Sequence, residues 1–344
     1  MMKVLHVMAG AAQGGAETAF AELCAAQMKD GTQVIAACRP SSRNAQLRDA
    51  GVDVVELPFG GTFDFTTRRA LKKLINAQKP DVAVTWMNRA AKKMPRGTGV
   101  PWIARLGGYY DLKYYKNVDE FVVNAPDIGR WMSESGVPES KIAHIPNFAE
   151  IAPNAAPVDR ASLDTPSDAF VFLTLARLHP NKAIDTLIDA FAGVDGTYLW
   201  IAGEGPDRKA LEQQVRARGI ESRVRFLGWR EDRWSLLAAC DAFVLSSRHE
   251  PFGNSFMQAW AAGKALVTTN SQGPGHYVQD GVNGLVTPVD DVKALEKALI
   301  RVMSDDDLRQ TLAAAGQQAY RQAFDKSVIL NQWRALFARM TSRA

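Results

Sequence analysis

The chain has 344 residues, 47% hydrophobic and 23% charged, a balance that builds buried cores, excludes wholesale disorder and, at this length, favours two lobes over one. Forty-one basic against thirty-seven acidic residues leave a net charge of +4, too mild to call for a nucleic-acid partner. Cys24, Cys38 and Cys240 are far apart with no CxxC pair, against a disulfide framework or structural zinc site, and no apolar run reaches the roughly 18 residues that span a bilayer.

Residues 2–9 (MKVLHVMA) form an apolar run that reads as a strand rather than a signal peptide, so a cytoplasmic location is expected. The run breaks into a glycine-rich loop and a helical pattern over 18–29, followed by the strand-like TQVIAAC. Apolar runs at 52–57, 81–86, 102–106, 120–124 and 142–145 alternate with helical stretches at 66–78 and 125–135, the pattern of a parallel sheet with right-handed crossovers. Residues 147–167 are irregular and proline-rich, a linker. The alternation then restarts, with strands at 170–176, 198–202, 224–227, 242–246, 265–270 and 284–288 and helices from 182, 206, 232 and 253. Helices close the chain at 292–303, 306–323 and 326–340, the last with Val328, Ile329, Trp333, Leu336, Phe337 and Met340 at helical spacing. The expected fold is α/β, two Rossmann-like doubly wound lobes at 1–150 and 151–325, with 326–344 a C-terminal helix packing across the lobe interface. A ligand cleft is expected between facing strand ends.

Four segments fall where strands turn into helices. The loop from Gly10 through Gly14 and Gly15 to Glu17 aims backbone N–H groups at the expected cleft, or is simply a tight turn. It has neither GxGxxG nor GxxxxGK[ST] spacing, against nicotinamide cofactors and nucleotide hydrolysis. Arg177 and Lys182 end a strand and open a helix, suited either to a diphosphate or to surface salt bridges. Gly203 and Gly205 follow the next strand as a turn at the same sheet edge. In Glu250-Pro251-Phe252-Gly253-Asn254, the acid can accept sugar hydroxyls and the helix start suits a phosphate, while Gln258 lies further along that helix within reach of a second polyol. Glu250 equally reads as an acid stabilising a helix dipole. The aspartates at 290–291 and 305–307 sit at helix starts, where capping explains them better than a metal.

With ARLHPNKAIDTLIDAF, LWIAGEGP, VRFLGWRED, SSRHEPFGNSFMQAWAAG and DGVNGLVTPVDD in this order, the chain resembles the retaining GT-B glycosyltransferases of family 4, or group 1. The resemblance covers most of 170–291; the first lobe matches in its GGAE loop and general alternation. It implies transfer from a UDP- or GDP-sugar with retention, no cofactor and no metal. It also implies that Arg177 and Lys182 hold the diphosphate and that Glu250 opens the E-x7-E motif and touches the donor sugar. Donor contacts would come from Gly15, Gly203, Pro251, Phe252, Gly253 and Asn254, with Leu227, Gly228 and Trp229 lining the base pocket. This sequence departs at Gln258, where the family has its second glutamate, at His276 in Gly273-Pro274-Gly275-His276, and at 105–111, where the family's histidine is absent. Tyr109 or Asp111 would orient an acceptor hydroxyl there.

The expected mechanism is front-face transfer in which the leaving diphosphate takes the incoming hydroxyl's proton. Hydrolysis by paired carboxylates would need a second acid, which Gln258 does not supply. Nine cations between Arg68 and Arg96, against Asp81 alone, form a basic face suited to an anionic glycan or to an anionic membrane at the inner leaflet; a solvated face is the plainer meaning. The resemblance favours a lipopolysaccharide core or another lipid-linked acceptor. A catalytically silent sugar-nucleotide-binding subunit and a GT-B epimerase are the alternatives.

Overall fold

The computed structural model describes residues 1–10, 14–61, 64–149, 151–152 and 155–342. They divide into two units, Met1–Phe148 with Asp325–Ala344, and Ala149–Phe324.

The first unit contains β1 (Lys3–Met8), α1 (Gly15–Lys29), β2 (Gln33–Cys38), α2 (Arg43–Asp49), β3 (Asp53–Glu56), α3 (Thr66–Gln78), β4 (Val82–Trp86), α4 (Met87–Lys93), β5 (Trp102–Leu106), β6 (Glu120–Val123), α5 (Pro126–Glu134) and β7 (Ile142–His144). Its strands form one parallel sheet in the order β3-β2-β1-β4-β5-β6-β7. Every residue of β4 and β5 is buried, which is why these segments read as unbroken apolar runs instead of alternating: both faces of a parallel sheet are covered. α3 turns Thr67, Leu71 and Ile75 inward and leaves Arg68, Arg69, Lys72 and Lys73 in solvent. It ends at Lys79, whose φ of 47° is left-handed, just before Pro80.

The short helices α2 and α4 were not anticipated. Within α4, Lys93 leaves the expected basic face: it is 5% exposed, and its Nζ donates to the carbonyls of Gly61 at 2.9 Å and Asp64 at 2.6 Å. His6 is fully buried in β1. Its Nδ1 accepts from Trp86 Nε1 at 3.1 Å, which leaves the proton on Nε2 to be donated to Gln27 Oε1 at 2.8 Å. Burial, partly offset by that hydrogen bond, lowers its pKa to about 4, so the ring is neutral at ordinary pH.

The second unit contains β8 (Phe170–Leu175), α6 (Ile184–Phe191), β9 (Thr197–Ala202), α7 (Arg208–Ala217), β10 (Val224–Gly228), α8 (Arg233–Ala239), β11 (Ala242–Leu245), α9 (Asn254–Ala261), β12 (Ala265–Thr269), α10 (Gln272–Tyr277), β13 (Leu285–Thr287), α11 (Val292–Ser304) and α12 (Asp306–Ala323). The sheet is again parallel, in the order β10-β9-β8-β11-β12-β13. The strand order reverses between β8 and β11, so the loops leaving these two strands flank the crevice where such sheets bind ligands. Asp291 and Asp305 cap α11 and α12, accepting from the N–H groups of Ala294 and Leu308, both at 2.9 Å, as their positions predicted. The later part of the linker is tied to this unit, Arg160 donating to Ala239 O at 2.6 and 3.0 Å and to Asp241 Oδ2 at 3.0 Å.

The final helix, α13 (Lys326–Thr341), belongs to the first unit. Ile329, Leu330, Trp333, Leu336, Phe337 and Met340 enter that unit's core beside residues of α1 and β4, while Val328 is only half-buried. The guanidinium of Arg105 lies 5.4 Å from the Trp86 ring and 5.8 Å from Trp333, and donates to Asn147 Oδ1 at 2.5 Å. Arg339 pairs with the buried Glu120.

Candidate active site

At the carboxyl edge of the second sheet, the turns after β8, β9 and β10 run side by side. Ala176 N–H donates to Ala202 O at 3.0 Å, Leu178 N–H to Glu204 O at 3.0 Å, and Gly203 N–H to Gly228 O at 2.7 Å. Two glycines permit this approach, because a Cβ on Gly203 would lie 1.9 Å from Ala176 O and one on Gly205 2.1 Å from Leu178 O. Both are therefore packing residues as well as turn residues. Arg177 is exposed on the first of these turns, and Trp229, 48% exposed, follows Leu227 and Gly228 at the end of β10. After Arg177 the chain enters a turn at Pro180–Lys182, which Asn181 N–H closes onto His179 Nδ1 at 3.3 Å. Helix α6 therefore starts at Ile184 rather than Lys182.

The segment leaving β11 is hydrogen-bonded onto that turn, with Arg248 and His249 N–H donating to Asn181 O at 2.8 and 3.2 Å and Ser246 Oγ to Lys182 O at 3.0 Å. Lys182 Nζ and Glu250 Oε2 consequently meet as an ion pair, although they are 68 positions apart. Ser247 Oγ donates to the same carboxylate oxygen at 3.1 Å, and Glu250 is only 8% exposed. The acid does not open a helix, so its dipole-stabilising role is set aside; α9 begins at Asn254. Gly253 precedes it at φ 96°, where a Cβ would sit 2.8 Å from the Phe256 ring. Gln258 is half-buried one turn into α9. Phe252 packs against Phe256, Tyr277 and Phe324 at centroid distances of 6.0, 6.0 and 5.9 Å, which leaves its backbone as the part available to a ligand.

Two clamps escaped the sequence. Gln272, the first residue of α10, accepts from Glu250 N–H at 3.1 Å and bonds His249 Nδ1 at 3.0 Å, while Gly273 N–H donates to Glu250 O at 2.8 Å. Gly273 must be glycine, since a Cβ there would lie 2.1 Å from Phe252 O. Arg248 braces the other side, reaching Asp185 Oδ2 at 2.7 Å, Asp290 Oδ1 at 2.6 Å and Pro180 O at 2.7 Å. Its hydrogen bond to Asp185, aided by Asp290 and opposed by desolvation, raises its pKa further. The signal for Gln272 is the NSQGP stretch just after β12, but its target is set by tertiary packing. His276 is exposed on α10, its ring 4.8 Å from that of Tyr277.

Three expected site residues lie in the first unit. Gly15 is exposed at the start of α1; residues 11–13 of its loop lie outside the described residues. Tyr109 donates its hydroxyl to Asp127 Oδ2 at 2.6 Å and packs edge-on against Trp131; burial and the Asp127 carboxylate raise its pKa. Asp111 accepts from Lys113 N–H at 3.1 Å and pairs with the Lys113 ammonium, contacts that lower its pKa and make it the cap of a short turn. Among the described residues, no group of three or more His, Cys, Asp or Glu side chains converges as a metal site.

Two parallel α/β units, one carrying a lysine–glutamate pair at its switch point, are the frame of a GT-B glycosyltransferase, and the chain belongs to the group 1 glycosyltransferases. Residues 156–319 match the family described as glycosyl transferases group 1, and residues 13–152 the one described as glycosyltransferase family 4. Two similar proteins of Rhizobium meliloti are the lipopolysaccharide core biosynthesis glycosyltransferases LpsE and LpsD. Each is 35% identical, over 98% of this chain and 99% and 98% of the relatives' own lengths. Among solved structures, HepE of Anabaena in complex with UDP-glucose superposes with a TM-score of 0.85 at 22% identity, covering all of both chains.

Proposed function

We propose that the protein transfers a sugar with retention, and without a metal, from a UDP- or GDP-sugar to a glycan of the lipopolysaccharide core or another lipid-linked envelope glycan. The observation that carries this is the Lys182–Glu250 pair, fixed from both sides at the switch point of the second sheet. Its carboxylate is suited to accept hydroxyl protons of the donor sugar, while Lys182, Arg177 and the backbone N–H groups at the start of α9 balance the charge of the diphosphate. The bond from the anomeric carbon to the diphosphate breaks as the acceptor oxygen bonds to the same face, and the acceptor's proton passes to the departing phosphate oxygen. UDP-glucose in HepE supports the donor class, and the names of LpsE and LpsD support the acceptor class.

Peripheral contact with the cytoplasmic face of an anionic membrane belongs to the same proposal. It rests on exposed Arg68, Arg69, Lys72 and Lys73 of α3, joined to α4 where Arg68 Nη2 donates to Lys92 O at 2.8 Å. Lys92 and Lys113 also flank the Tyr114 ring at 5.6 and 4.9 Å. No helix among the described residues is long and apolar enough to cross a membrane.

The test is calorimetric titration with UDP and GDP, with and without EDTA, followed by determination of the product's anomeric configuration by NMR. Binding of one nucleotide unaffected by EDTA, and a product with the donor's configuration, are expected. An inverted product overturns retention, loss of activity with EDTA overturns metal independence, and binding without turnover overturns transfer in favour of a silent subunit.

A further inference from the structure

The carboxyl ends of β1, β2 and β3, in the first unit, open into a cleft of about 460 Å³, within the size range of small-ligand sites. Its floor is apolar, from Met8 at the end of β1 and Phe20 of α1. Glu17 of α1 stands on one wall, its carboxylate lying over Gly10 and Gly14, where added Cβ atoms would meet it at 2.5 and 2.2 Å. Arg39 and Ser41, from the segment joining β2 to α2, and Arg43 at the start of α2 also line the cleft.

The turn at 39–41 is held in shape by Asn44, which is 2% exposed. Its Nδ2 donates to Arg39 O at 3.1 Å and its Oδ1 accepts from Ser41 Oγ at 3.0 Å. Arg39 Nε donates to Pro58 O at 3.2 Å, which anchors one edge of the guanidinium. Arg43 Nη1 donates to Thr18 Oγ1 at 2.9 Å.

Two arginines lining one cleft favour a planar or tetrahedral anion. A carboxylate in the same cleft, with a serine hydroxyl, favours neutral hydroxyls, and the apolar floor suits the C–H face of a sugar ring. We infer that this cleft binds an acidic sugar unit, a pyranose carrying a carboxylate or phosphate, with Arg39 and Arg43 on the anion and Glu17 on ring hydroxyls. As a subsite for the acceptor glycan it rests on the transferase proposal above; as a binding site it is tested separately.

Saturation-transfer NMR on the intact protein with glucuronate, glucose 6-phosphate and glucose, beside calorimetry with UDP, decides the matter. At least one anionic sugar should bind ten times more tightly than glucose and weaken as salt is raised, and which one binds identifies the anion. Arg39→Gln should remove that preference and Arg39→Lys restore part of it, with UDP affinity unchanged in both; Arg43→Gln is the second variant. Equal binding of charged and neutral sugars, or a charge preference that survives in both glutamine variants, overturns the inference. Acidic-sugar binding without any nucleotide binding would instead sink the transferase proposal and leave the cleft standing.

Discussion

At the carboxyl edge of the second sheet the turns are tied backbone to backbone, through glycines that admit no side chain, and the charged pair is clamped by Gln272 and Arg248. At the same edge of the first sheet side chains do the shaping: Asn44 holds one turn, Asp111 caps another, and an open cleft remains among arginines. One sheet edge is therefore a fixed geometry that tolerates little substitution. The other keeps a stable sheet beneath variable side chains, the arrangement expected where ligand preference is set by a few exposed groups.

The largest effect should come from undermining the first unit while sparing the second. Trp333→Ala removes a side chain that is 1% exposed and that the Arg105 guanidinium lies against, and should cost about 3–5 kcal/mol, read by denaturant unfolding. Intact stability in that variant would mean that α13 is dispensable to the core. Next, Glu250→Ala should lower transfer by about 10²–10³-fold while circular dichroism and the melting temperature stay near those of the parent; full turnover would remove Glu250 from the site.

A third effect separates the units by pH. The His6 pKa is about 4 when folded against 6.5 for the free side chain, so between those values the unfolded chain binds more protons. The stability contributed by neutral His6 is complete above 6.5 and declines as pH falls toward 4. From pH 7.5 to 5 the first unit should lose about 2 kcal/mol on this account. Urea unfolding at the two pH values checks it, and an equal loss in His6→Gln would assign the change to other groups. The smallest effect concerns Ala183, which follows Lys182 at φ 48° and is fully buried. A left-handed alanine is strained by roughly 1 kcal/mol, so Ala183→Gly should raise the melting temperature slightly, and a lowered one would show that the methyl group's packing outweighs the strain.

Periodicity made much of this fold legible. α3 and α12 were bounded to the residue because their apolar stripes are long and their ends carry turn or cap signals. The short α2 and α4 hold too few turns for a 3.6-residue period to show, and α10 begins with Gln-Gly-Pro, which reads as a loop although proline is tolerated in a first turn. Lys182 and Glu250 stood out at strand ends but could equally have been structural there; the family resemblance supplied their roles, and the strand order explains why they meet. Gln272 and Arg248 were missed because a clamp is defined by what it touches: Gln272 is 22 residues from its bond to Glu250 and Arg248 is 63 from Asp185. Lys93 was counted with the basic face because sequence cannot distinguish a lysine in solvent from one turned inward onto two carbonyls.

The return of α13 to the first unit has a consequence for how the protein is made. Trp333, Phe337 and Met340 emerge from the ribosome only after the whole of Ala149–Phe324, so the earlier unit waits with part of its core uncovered while the later one can close first. The order of synthesis and the order of completion are thus reversed. A nascent chain halted near Phe148 would expose the apolar surfaces of α1 and β4 that α13 covers in the finished protein, a natural handle for chaperones.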